Sequence, residues 1–182
     1  MVSLEAPDKV RLVIIVNRYA LPLAIILITF GVAFSQPQAH VRNLSLGLLI
    51  LTTIFNLGTV EIIKRGVKVS PWLIKMRLFF NLGINAVLVY LLGGYWPPIW
   101  LLLSLTPIAT AVYGTRMRTL LTAIGISLLL LGIHALRGLN APVDWGQQAA
   151  YASFIILLSL MINDVANLVR TAAQQECKTT II

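Results

Sequence analysis

Asn56, Asn81, Asn85, Asn163 and Asp164 are strongly hydrogen-bonding side chains set inside otherwise apolar runs. Arg77, Asn81 and Asn85 recur every four residues, so they share one face of any helix they lie on. In lipid such groups meet no solvent, and they must turn toward other helices. They can tie helices together, which is the simpler use for the asparagines, or line a pocket for a ligand or ion. Asp164 lies near the end of its run, where water or Arg170 can serve it, so it does not imply proton transport. His40 and His134 have no cysteine or carboxylate company and read as two isolated interface histidines, not as a haem or metal site. The sequence has no phosphate-binding glycine loop, no HExxH and no G-x-S-x-G elbow, so no enzyme activity is expected. Cys177 is the single cysteine and cannot form an internal disulfide.

The other stretch with chemical potential is Gly93-Gly94-Tyr95-Trp96-Pro97-Pro98-Ile99. It interrupts a long apolar segment with no charged residue between Arg77 and Arg116. Paired glycines permit sharp backbone turns and close approach. Tyr95, Trp96 and the nearby Trp100 supply rings suited to a membrane interface. Pro97 and Pro98 stiffen the re-entry and fit the start of a helix. The result is a tight transmembrane hairpin on which a flat amphiphilic ring, such as a quinone headgroup, can stack.

The elements that position these residues follow from composition. Apolar residues make up 58% of the chain and charged residues 11%. A soluble domain is about 25% charged. A chain so poor in charge cannot cover a water-facing surface, so an integral membrane protein is expected. The chain has 182 residues. Six spans of about 20 residues each, with short loops, use nearly all of it. The expected spans are 16–34, 44–63, 76–92, from after Pro98 to about 113, 120–136 and 149–169. The fold class is all-α: a polytopic bundle of six transmembrane helices over 1–170, then a short cytoplasmic tail over 171–182. Glu61 near the end of the second span is spaced for an ion pair with Lys64 or Arg65. Thr106-Pro107 predicts a kink in the fourth span.

The net charge of +8 points to membrane flanks and not to nucleic acid, because the basic residues are clustered between spans. Twelve of the fourteen fall at the N-terminus, in the 64–77 and 113–120 connections, or at the C-terminus, all on one side of a six-span topology. Only Arg42 and Arg137 fall on the other. Both termini are therefore expected in the cytoplasm, with the 93–99 turn on the outer face.

Residues 78–136 resemble the membrane sensor domain of six-span bacterial sensor histidine kinases, of the redox-responsive RegB type and the related pilus-regulating type. Those proteins carry Gly-Gly-x-x-Asn-Pro-Phe between their third and fourth spans, then an apolar helix with a central proline and a small basic turn. This chain has Gly93-Gly94-Tyr95-Trp96-Pro97-Pro98-Ile99, then Pro107, then Gly114-Thr115-Arg116. Pro97 stands in place of the asparagine and Ile99 in place of the phenylalanine. Arg170-Thr171-Ala172-Ala173-Gln174-Gln175-Glu176 resembles the linker that leads into a kinase dimerisation helix, but no phospho-acceptor helix or ATP-binding domain follows it in this sequence. The resemblance thus implies an excised sensor domain or a standalone descendant of one.

What the resemblance implies is a non-catalytic signal-transduction module of the bacterial inner membrane, homodimeric through the sixth span. Its ligand would be a quinone at Gly93, Gly94, Tyr95, Trp96, Pro97, Pro98 and Ile99. No other cofactor is expected. Two alternatives stay open. One is an accessory subunit of a respiratory or photosynthetic complex, docking through Gly125, Ser127, Gly132 and the aromatic turn. The other is the substrate-binding subunit of an energy-coupling vitamin transporter, whose small-residue contact in the first span is offered here by Ala20 and Ala24.

Overall fold

Long apolar runs broken only by prolines, glycines and short polar steps leave the backbone one local way to pair its own donors and acceptors, the α-helix. The computed structural model describes residues 6–64, 71–138 and 141–179. Among them are six α-helices, one short 3-10 helix and no strand. The chain forms two compact units, Met1–Leu105 and Thr106–Ile182.

The first unit holds α1 (Ala6–Ser35), α2 (Ala39–Lys64), α3 (Pro71–Leu92), the 3-10 helix (Pro97–Trp100) and the first turn of α4 (Leu101–Tyr113). Helix α1 ends where Gln36 enters the left-handed region, φ 44°, and Pro37 follows. That conformation stops a helix, and it is rare for a residue with a Cβ. The core of this unit lines up at helical spacing on α3, with Ile84, Leu88 and Leu92 buried. Also buried in this unit are Ile28 of α1, Leu49 of α2, and Ile99, Leu102 and Leu103. Residues 65–70 of the basic 64–77 connection, including Arg65 and Lys68, lie outside the described residues, as does the expected partner role of Arg65 for Glu61.

The second unit holds the rest of α4, α5 (Arg116–Leu136) and α6 (Pro142–Thr179). Among the described residues, helices α5 and α6 pair extensively. Their seam is made of small residues and medium aliphatics: Ala123, Ile126, Ser127 and Leu130 on α5, and Ala152, Ile155 and Ser159 on α6. Ser127 Oγ donates to the carbonyl of Ala152 at 3.1 Å, which requires close backbones. This is the usual membrane solution, since lipid removes the hydrophobic drive and leaves packing and hydrogen bonds to hold helices together. Ser127 is thus spent inside the unit, whereas Gly125 and Gly132 stay exposed with open space around them.

Among the described residues, four helical stretches are long and apolar enough to cross a membrane: Arg18–Ser35, Ala39–Ile62, Arg116–Leu136 and Pro142–Ala172. Met76–Leu92 and Pro97–Val112 are shorter apolar helices. The elements outrun the expected spans at several ends. Residues 142–148, expected as loop, are the first turns of α6, whose first residue is Pro142. Proline is preorganised for that position and lacks only an N–H that would have no helical partner there. Residues 171–179, expected as a separate tail, continue α6. Ala172, Ala173, Gln174, Gln175 and Glu176 all favour helix. At Pro107, α4 stays one continuous helix.

Candidate functional site

The hydrogen-bonding residues inside the apolar helices resolve into three clusters. The first lies between α2 and α3. Asn56 and Asn81 exchange two reciprocal amide bonds, each 2.9 Å. Asn56 Nδ2 also donates to the Thr52 carbonyl at 2.9 Å, and Arg77 Nε donates to Asn56 Oδ1 at 3.0 Å. A primary amide has two donors and two acceptor lone pairs, and Asn56 uses all four. Phe55 and Phe80, the neighbours of Asn56 and Asn81, pack their rings 4.2 Å apart beside the cluster. One turn further along, Asn85 Nδ2 reaches the Leu102 carbonyl of α4 at 3.2 Å. The four-residue spacing of Arg77, Asn81 and Asn85 therefore produces one polar stripe whose members bond to two neighbouring helices.

The second cluster is the end of α4. The last carbonyls of a helix have no partner within it. Gly114 N donates to the Thr110 carbonyl at 2.6 Å. Asn163 Nδ2 of α6 donates to the carbonyls of Ala111 at 2.8 Å and Gly114 at 3.1 Å, and Arg170 donates to that of Val112. Asn167 Nδ2 donates to Asn163 Oδ1, and Arg170 donates to Asn167 Oδ1, both at 3.2 Å. Gly114 is required by space: a Cβ there would lie 2.6 Å from the Thr110 carbonyl oxygen. Thr115 then starts α5, its hydroxyl accepting from Arg118 N at 3.4 Å, the usual role of a threonine at a helix start. Asp164 faces Arg116 across 3.8 Å, with both side chains more than half exposed. Such an exposed pair contributes little. Of the two partners the sequence offers Asp164, water and Arg170, Arg170 is committed to α4 and Asn167.

The third cluster is the aromatic turn. The Leu92 carbonyl accepts from both Tyr95 N and Trp96 N at 2.8 Å, and Ile99 N returns to the Trp96 carbonyl at 3.1 Å. Pro97 and Pro98 occupy the first positions of the 3-10 helix. Ile99 is fully buried and Tyr95 is exposed. Trp96 packs against α1: its ring stacks on Phe34 (centroids 6.3 Å, planes 22° apart), and a Cβ on Gly31 would lie 3.2 Å from its Cδ1. Its Nε1 is buried with no acceptor. Gly31 and Phe34 were not singled out from sequence, although an aromatic three residues after a glycine at the end of a span is a readable signal for a ring seat.

His134 is buried, edge-on to Trp145 with centroids 4.9 Å apart, and neither ring nitrogen has a protein partner. His40 is exposed. Among the described residues no group of three or more His, Cys, Asp or Glu is arranged to hold a metal ion. Arg77, Asn56, Asn81, Asn85 and the 93–99 turn belong to the first unit, and Asn163 and Asp164 to the second. The fold defines an all-helical chain with several helices suited to a bilayer. No family model, no curated protein and no solved structure matches the chain.

Two stability measurements in detergent follow. In a double-mutant cycle, Asn56→Ala and Asn81→Ala should each destabilise the protein and should couple by about 1 kcal/mol, the range found for interhelical hydrogen bonds in lipid. Additive losses would show that the amide pair is not formed. His134→Leu should leave the midpoint of thermal unfolding unchanged or raise it, because an apolar group of similar size replaces two unpaired polar atoms. A large fall would mean that the imidazole has a partner.

Proposed function

We propose that the chain is a non-catalytic, sensor-like binding module of the bacterial inner membrane that crosses the bilayer six times with both ends in the cytoplasm. Its ligand is a quinone, held at the outer turn formed by Gly93, Gly94, Tyr95, Trp96, Pro97, Pro98 and Ile99. Helices α3 and α4 complete the crossings as the two short spans. The excess of basic residues at every second connection supports this orientation. So does the polar stripe of α3, which needs protein neighbours on the side it presents.

The observation that carries the ligand reading is the Trp96 indole N–H. It is a donor buried without an acceptor, beside a ring already stacked on Phe34. A buried unpaired donor costs about 1–3 kcal/mol, and a quinone carbonyl would remove that cost while its ring extends the stack. Helix α6 supports the sensor-like part. It has 38 residues. At the rise of an α-helix that is roughly 57 Å, against about 30 Å of hydrocarbon, so it carries a continuous rod out of the membrane.

Site-directed labelling from either side should find residues placed at Arg116 and Thr171 on the same, cytoplasmic face, and Tyr95 on the other. Opposite faces for Arg116 and Thr171 would end the six-span reading. Quinone should co-purify with the protein from native membranes. Trp96→Phe keeps the ring but removes the N–H, and it should lower quinone retention about tenfold, the equivalent of one charge-neutral hydrogen bond made in an apolar site. Equal retention by Trp96→Phe, or no saturable quinone binding by the parent protein, would end the ligand reading.

A further inference from the structure

The end of α4 is held in an unusual way. Its final carbonyls are closed chiefly by side chains of a helix some fifty residues later, not by its own C-terminal turn alone. The donors form a single directed chain. Arg170 donates to Val112 and to Asn167, Asn167 donates to Asn163, and Asn163 donates to Ala111 and Gly114. Each link polarises the next, so the charge of Arg170 strengthens the whole series. It also complements the negative end of the α4 dipole. Asn163 itself is completely buried.

Location makes this tie breakable. On the topology proposed above, the end of α4 lies at the cytoplasmic edge. There water can replace Asn163 and Arg170 at the freed carbonyls, whereas the same loss in mid-bilayer has no such remedy.

The geometry of α6 decides what the tie controls. At about 100° per residue, Asn163, Asn167 and Arg170 fall within an arc of roughly 60° on one face of α6. A rotation of the part of α6 beyond Ser159, where the seam with α5 ends, takes all three donors off α4 together. The same helix continues from Arg170 to Thr179, roughly 13 Å further along its axis. Any rotation at the clamp therefore reappears at its far end.

We infer that Asn163, Asn167 and Arg170 form a releasable clamp that fixes the rotation of α6 against the end of α4, and so sets which face the segment beyond Arg170 presents. The clamp is closed in this structure. Its direction of control deepens the sensor-like reading and rests on it, but the clamp itself does not depend on which ligand binds at the outer turn.

Amide hydrogen exchange on the intact protein in lipid nanodiscs, without added quinone, tests the clamp. Asn163→Leu keeps the volume and removes the donor. It should raise exchange about tenfold in 110–116 and in 171–179, while the α5 interior, 120–133, stays within about twofold of the parent. Arg170→Gln should raise the same two segments and serves alone if Asn163→Leu fails to accumulate in the membrane. Unchanged exchange in both segments overturns the inference. So does an equal rise along α5, which would show a general structural tie. Loss of quinone binding would overturn only the ligand reading, since no arm of this experiment uses a ligand.

Discussion

Asn163 gives its amide hydrogens to the carbonyls of Ala111 and Gly114, and with that the main constraint on this chain comes into view. Helices apolar enough to cross a membrane would have little water as a partner over most of their length. Every backbone group a helix leaves open, and every polar side chain inside a helix, must then be answered by another part of the protein. The clusters around Asn56, around the end of α4 and at the aromatic turn are three local answers to that single demand. They differ in how completely they meet it. Asn56 uses all of its hydrogen-bonding capacity, and the end of α4 recruits two side chains from α6. The turn leaves one indole N–H unanswered.

Packing alone does not set these positions. The seam of α5 and α6 is built from Ala, Ser, Ile and Leu, which would tolerate sliding by a turn with modest loss. Ser127 on the Ala152 carbonyl and Asn163 on the end of α4 fix the register along α6, because each bond is directional. In the first unit the reciprocal pair of Asn56 and Asn81 does the same for α2 and α3. Apolar contact supplies the bulk of the contact area, and a few polar bonds choose one arrangement among many of similar packing.

Much of this was readable in the residues beforehand. The helices sit on the apolar runs, the break at Gly93-Gly94 is a turn, and Pro97 and Pro98 begin a helix. The four-residue spacing of Arg77, Asn81 and Asn85 gave their shared face, but not their partners, since partner choice depends on how far α2 and α4 stand from α3. Helix ends were the weakest part. Hydropathy falls away at membrane edges while helix propensity does not, so Thr171–Thr179 looked like a tail and is the last part of α6. Near the end of its run Asp164 was expected to be served by water or by Arg170, and the Arg170 pairing is the one the structure tests. It fails because Arg170 bonds the open carbonyl of Val112, and a site beside a helix dipole offers more than an exposed carboxylate. Asn167 and Thr115 carried signals, one four residues after Asn163 and the other heading a new helix three residues before Arg118, that only the neighbouring chain end makes meaningful.

The aromatic turn shows how a motif can be divided into what the fold explains and what it does not. Tyr95 N and Trp96 N share the Leu92 carbonyl, and Ile99 N has the Trp96 carbonyl. Pro97 and Pro98 have no N–H to satisfy, so proline at 97 suits a position where an amide would need an acceptor. Ile99 is wholly buried, and an aliphatic side chain fills that space without asking for a partner. Pro97 and Ile99 are thus accounted for by backbone pairing and packing. Gly31 fits the same packing, since a Cβ there would press on the Trp96 ring at 3.2 Å. The indole N–H of Trp96 is a group in the turn that the protein's own needs leave unexplained. The choice between a purely structural hairpin and a ligand seat therefore narrows to one hydrogen atom.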